Sequence, residues 1–168
     1  MAVLSLVIAA QENRTYDKLP NFHQVNDNLY RGAQPQRGGI KKLSEIGIKT
    51  VINLRGVSDE TRTEQTEAEA AGMRYFNIPM SGLGRPSDEQ VERAMSIIDN
   101  RENWPVFVHC QRGADRTGVI IAVYRISRDH WTEEQAIAEA KRFGMARLQF
   151  RKKDYISDYS KRRQDAQP

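Results

Sequence analysis

The chain has a single cysteine and only three histidines in 168 residues. One thiol cannot close an intrachain disulfide, so no disulfide framework holds the fold, and a metal centre of several thiolates is excluded with it. His23, His109 and His130 show no ligand spacing, and neither a metal nor an organic cofactor is expected. No apolar run is long enough to span a bilayer, so stable membrane insertion is not expected. Repeats, low-complexity tracts and RNA or DNA motifs are also missing. The basic residues are dispersed until the C-terminal tail, so nucleic acid is not an expected partner.

What is present suits one folded domain. Hydrophobic residues make up 39% of the chain and charged residues 29%, a balance that supports a buried core and argues against wholesale disorder. The net charge of +4 suits an anionic substrate, though it equally suits solubility alone. The sequence divides into an N-terminal segment 1–20, a domain over 21–163 and a tail 164–168, and the chain is expected to act as a monomer. Met1–Ala10 is apolar apart from Ser5. It reads as a short signal-peptide core without its basic start, or as an edge strand or disordered start, which leaves bacterial cytoplasm and periplasm both open.

Strand and helix patterns alternate. Asn28–Arg31, Lys49–Leu54, Met73–Pro79 and Val106–Val108 read as strands. Between and after them, helices are predicted over 36–46, over 59–71 as a solvent-facing helix, over 88–100 with Ser87 as N-cap, and from Thr132 with Gln135 completing a capping box. A last basic amphipathic helix is predicted over 148–163. This alternation indicates an α/β fold with a mainly parallel central sheet flanked by helices.

The segment that carries chemistry is His109-Cys110-Gln111-Arg112-Gly113-Ala114-Asp115-Arg116-Thr117-Gly118, between a buried strand and a predicted helix. Ligands of open α/β sheets bind at the carboxyl ends of strands, and this is such a place. Five residues between Cys110 and Arg116 are enough to curl the backbone around a tetrahedral anion, with amides turned inward. The start of the following helix adds its positive end, and Gly113 allows a backbone that a side chain would obstruct. A cysteine in such a loop is a thiolate near neutral pH, since free cysteine titrates at about 8.5 and activated ones at roughly 3.5–7.5. The planar fork of Arg116 suits two phosphoryl oxygens at once. Thr117 is placed to donate to the sulfur and help it depart when water attacks.

These residues match the H-C-x-x-G-x-x-R-[ST]-G signature, and the chain resembles the cysteine-dependent tyrosine and dual-specificity phosphatases. Phe22–Val25, Leu29–Pro35, Val51–Arg55 and Ala122–Ile126 are similar to the compact bacterial and plant-fungal enzymes of that group, so the likeness covers residues 21 to about 146. It implies a phosphotyrosine protein phosphatase-like fold, Cys110 as nucleophile, Arg116 as phosphate ligand and residues 111 to 116 as the loop amides. The expected substrates are phosphorylated proteins, phosphotyrosine first and phosphoserine or phosphothreonine next. The alternatives are small anionic phosphates, namely inositol phosphates or phosphoinositides, a rhodanese-like sulfurtransferase, or a non-catalytic phosphate-binding module.

The general acid is less evident. Many relatives carry an aspartate on a loop well before the cysteine, but Met80–Ser87 holds none. Asp88 follows in that region and also reads as a first-turn carboxylate facing a helix dipole. Asp115 lies inside the loop, where myotubularin and Sac-type lipid phosphatases share an Asp-Arg-Thr run, and it is the first candidate, with Asp88 as runner-up. His109 is expected to orient the loop or the thiolate, and it is counted with residues 111 to 116 and Arg55 among the groups that meet the substrate. Arg112 is expected to meet a second acidic group or solvent, and Arg55 to line the same mouth. Arg31 is read as structural, Trp104 and Trp131 as packing residues, and Leu83 and Arg85 as part of the rim.

Overall fold

A computed structural model describes residues 16–166; the apolar Met1–Ala10 segment lies outside the described residues. Five strands, β1 (His23–Asn26), β2 (Leu29–Gly32), β3 (Thr50–Asn53), β4 (Arg74–Asn77) and β5 (Val106–His109), form one sheet in the order β1-β2-β5-β3-β4. β1 pairs antiparallel with β2, and the other pairings are parallel. The sequence pattern misses β1, because His23–Asn26 is a four-residue, half-exposed edge with no apolar alternation.

Central strands of a parallel sheet are buried on both faces and read as continuous apolar runs, as Val51-Ile52 and Val106-Phe107-Val108 do. Side chains alternate between the faces. On one face, Val51 and Phe107 meet α1 (Gly39–Glu45) and α2 (Asp59–Ala70) through Ile40, Leu43 and Ala68. On the other, Ile52, Val106 and Val108 pack under α3 (Asp88–Asp99), α4 (Asp115–Arg128), α5 (Glu133–Arg142) and α6 (Phe150–Asp165). The apolar residues Val119–Val123 sit in the middle of α4, buried among these helices.

Three helices begin with capping boxes: Ser58 with Thr61, Ser87 with Gln90, and Thr132 with Gln135. α1 is shorter than the pattern of apolar residues implies, because Gly38 at φ +81° stands immediately before it. α2 lies where the sequence pattern places it. It faces solvent along most of its surface, as expected, and adds one buried face that the sequence did not show, with Thr61, Glu64 and Ala68 against β3 and β4. Among the described residues no helix is long and apolar enough to cross a membrane.

Candidate active site

β2, β5 and β3 end side by side, with Gly32 opposite His109 and His109 opposite Asn53. The chain leaves β5 at Cys110 and enters α4 at Asp115. Between them the backbone is held from outside by three donors. The Gln111 carbonyl accepts from the Gln34 amide at 3.2 Å, the Arg112 carbonyl from Asn21 Nδ2 at 3.0 Å, and the Gly113 carbonyl from Arg31 Nη2 at 3.1 Å. Across a planar trans peptide the carbonyl and the next N–H point opposite ways. The amides of Arg112, Gly113 and Ala114 are therefore turned to the inner side of the loop, as a phosphate cradle requires. Gly113 makes this curl possible. Its φ is +66°, and a Cβ there would lie 2.3 Å from the carbonyl carbon and oxygen of Gly32.

α4 starts without a side-chain cap, so its first amides are not closed off by the chain's own side chains. The Thr117 amide and the Gly113 amide both favour the charged Cys110 sulfur. The Thr117 hydroxyl is buried without a hydrogen-bond partner and also favours the thiolate. Burial alone would push the Cys110 thiol up; the Thr117 hydroxyl and amide, the Arg116 charge and the Gly113 amide outweigh it and lower the thiol below its ordinary value. Arg116 is set by its own acceptors, donating from Nη1 to the carbonyls of Leu54 at 3.3 Å and Met80 at 3.4 Å.

His109 was expected among the groups that meet the substrate. It is wholly buried instead, with Nε2 2.8 Å from Glu64 Oε1 and Nδ1 3.4 Å from the Cys110 carbonyl, so it cannot touch a substrate and acts on the loop from beneath. Glu64 also accepts from Asn53 Nδ2 at 3.0 Å and from Gln34. Burial alone would raise the Glu64 carboxyl; the hydrogen bond and charge of His109, with Gln34 and Tyr75, outweigh it and hold it below the ordinary carboxylate range. Arg55 donates to Gln34 Oε1 at 2.7 Å and pairs with Glu60 at 2.6 Å, on the wall of a polar groove that reaches Gln111.

The two aspartates lie in different places. Asp115 accepts from the Ala146 amide through Oδ1 at 2.9 Å and from the Arg112 guanidinium through Oδ2. Asp88 accepts from the Tyr155 hydroxyl at 2.7 Å and from Arg162 at 3.0 Å, in a groove shared with Val91 and Met95. Arg112 is 61% exposed at its side chain. Arg31 is buried over the Phe143 ring, and burial pushes its guanidinium down to about 10.

Several supports escaped the sequence reading. Glu64 was hidden in a helix rich in Glu, Thr and Gln, and its one signal was its place on the same helical face as Ala68. Asn21 and Gln34 carry no local pattern, since both act through backbone groups roughly eighty to ninety residues away.

A cradle of inward amides at the carboxyl end of a central strand, with one activated cysteine and one fixed arginine, defines the tyrosine and dual-specificity phosphatase class. The chain belongs to the family described as DSP-PTPase phosphatase fused to NAD+ kinase, whose model matches residues 9–158. It is 29% identical over 125 residues to the dual specificity protein phosphatase TpbA of Pseudomonas aeruginosa, over 74% of this chain and 55% of that one. It is 26% identical over 145 residues to the inositol diphosphatase SIW14 of Saccharomyces cerevisiae, over 83% of this chain and 50% of that one. The chain thus spans about half the length of these two curated relatives. Its fold matches the SIW14 core catalytic domain with a TM-score of 0.71 at 24% identity, covering 83% of this chain and 85% of that one.

Proposed function

We propose that the protein is a cysteine-dependent phosphatase that hydrolyses phosphate monoesters, with protein phosphotyrosine as the first substrate class and phosphoserine or phosphothreonine as the next. One observation carries this reading: the Cys110 sulfur is buried at the base of a loop whose amides, with Thr117 and Arg116, lower its thiol. In the first step the Cys110 thiolate attacks phosphorus, the sulfur–phosphorus bond forms and the ester oxygen leaves. In the second, water attacks the phosphocysteine, phosphate departs and the thiolate is restored. Arg116 and the inner amides of the loop stabilise the equatorial oxygens in both transition states.

The leaving oxygen needs a proton. We assign it to Asp115, which sits in the loop itself and whose Oδ2 is covered by the exposed Arg112. Movement of Arg112 onto a substrate anion frees that oxygen. Asp88 stays the runner-up, since its carboxylate is held by Tyr155 and Arg162. Asp115→Asn is expected to slow hydrolysis of alkyl phosphates far more than of p-nitrophenyl phosphate, while Asp88→Asn leaves both unchanged. The reverse pattern moves the role to Asp88.

A second reading rests on one observation: the loop between β4 and α3 offers no carboxylate before Asp88. A phosphoanhydride releases phosphate, which needs less protonation than an alkoxide, so inositol diphosphates suit a site with a weakly placed acid. Phosphate release measured over phosphopeptides, inositol phosphates and inositol diphosphates decides between them. Cys110→Ser must abolish release in every case; turnover surviving that change would sink the proposal.

A further inference from the structure

α6 contributes a side chain that neither the phosphate loop nor the fold requires. Lys152 is 1% exposed. Its ammonium donates to the carbonyls of Gly82 at 2.8 Å and Gly84 at 3.1 Å, and to Gln149 Oε1 at 3.1 Å. All three acceptors are uncharged, and among the described residues no carboxylate pairs with it. Burying an ammonium without a carboxylate partner is costly. A role in stability alone does not account for it.

The loop it holds lies between β4 and α3, and its other end touches the reaction machinery. Met80, just before Gly82, offers the carbonyl on which Arg116 docks. Within the loop, Ser81 Oγ accepts from the amides of Leu83 and Gly84, which fixes the turn but fastens it to nothing. The fastening comes from α6. Besides Lys152, Gln149 Nε2 donates to the Gly82 carbonyl at 3.2 Å, and Arg85 pairs with Asp158 at 2.8 Å. The same ammonium interacts through space with Asp115, Arg116 and Cys110, and burial lowers it from its ordinary value.

We propose that Lys152 is a positioning residue for phosphoryl transfer: from α6 it clips the loop over residues 81–85 onto the rim of the cradle and so keeps the Met80 carbonyl where Arg116 takes its orientation. This rests on the phosphatase reading above. The loop that lacks a carboxylate serves as a strut between the phosphate-binding arginine and the last helix.

Lys152→Met removes the donor and keeps the stem. Because small misplacements of a catalytic group are costly, kcat/KM for p-nitrophenyl phosphate is expected to fall by about tenfold to a hundredfold. Inhibition by vanadate, which occupies the phosphoryl site, is expected to weaken in parallel. Hydrogen exchange should quicken at the Gly82–Arg85 amides and stay unchanged in β5. A lysine that served only stability would lower the melting temperature yet leave kcat, counted per active site by burst titration, and vanadate affinity at wild-type values; that result overturns the proposal. Should Lys152→Met not fold, the double variant Gln149→Ala/Arg85→Ala loosens the same loop while leaving the ammonium in place. Faster loop exchange with several-fold lower kcat/KM supports the strut, and unaltered kinetics and vanadate affinity overturn it. Wild-type protein without turnover or vanadate binding would sink the phosphatase reading together with this one, whereas active wild type with unaltered variants sinks this one alone.

Discussion

Helices α3 and α4 both start just after a loop on the carboxyl side of the sheet, and both carry an aspartate in the first turn. α3 is closed by its own residues. Ser87 accepts from the Gln90 amide, Gln90 accepts from the Ser87 amide, and Gln90 Nε2 reaches back to the Pro79 carbonyl at 2.6 Å. α4 has no such cap; its early amides and the hydroxyl of Thr117 turn to a sulfur. The same element start is thus spent on folding in one place and left open for chemistry in the other. Asp88 and Asp115 follow suit, the first tied to α6 by Tyr155 and Arg162, the second set inside the loop that surrounds the nucleophile.

The largest break in this comparison is Cys110→Ser, which should reduce p-nitrophenyl phosphate hydrolysis to background while the far-ultraviolet dichroism stays native. Next is Gly113→Ala. It places a Cβ against Gly32 and strains a positive-φ position, so urea unfolding should show a loss of about 3 kcal/mol. Glu64→Gln removes the carboxylate beneath His109 and should cost about 2 kcal/mol at neutral pH. Because the folded carboxyl lies below its ordinary value, the wild-type advantage is complete above the ordinary carboxylate range. It fades as pH falls through the lowered value, which urea unfolding of both proteins across acid pH would display.

Smaller effects sharpen the contrast. Thr117→Val takes away the hydroxyl that favours the thiolate. The midpoint of iodoacetamide alkylation against pH should therefore move up, so that less thiolate is present at neutral pH. Ser87→Ala breaks the α3 cap and should cost about 1 kcal/mol of stability, with kcat/KM unchanged. A kinetic effect of Ser87→Ala as large as that of Thr117→Val would erase the distinction between the two helix starts.

Legibility in the sequence follows the same line. The strand-loop-helix around Cys110 was readable because its signature spans only a few residues, even though Asn21, Arg31 and Gln34 hold the loop from far away: five residues between Cys110 and Arg116, one glycine at the turn, one threonine after it. The N-cap at Ser87 and the capping box at Thr132 were readable for the same reason. What escaped depends on residues far apart in sequence. Glu64 reaches His109 from 45 residues away and Lys152 reaches Gly82 from 70. In isolation each looks like an ordinary surface charge, and only the packing of α2 against the sheet and of α6 over the loop buries them. Strand β1 escaped because an exposed edge carries no alternation of apolar and polar residues.

The clip formed by Lys152 also imposes an order on biosynthesis. Lys152 lies 42 residues downstream of Cys110 (152 − 110), so a ribosome delivers the nucleophile before the residue that secures its rim. With elongation at roughly 5–20 residues per second, seconds separate the two. Until α6 docks, the strut is without its fastening, and full competence waits on that step.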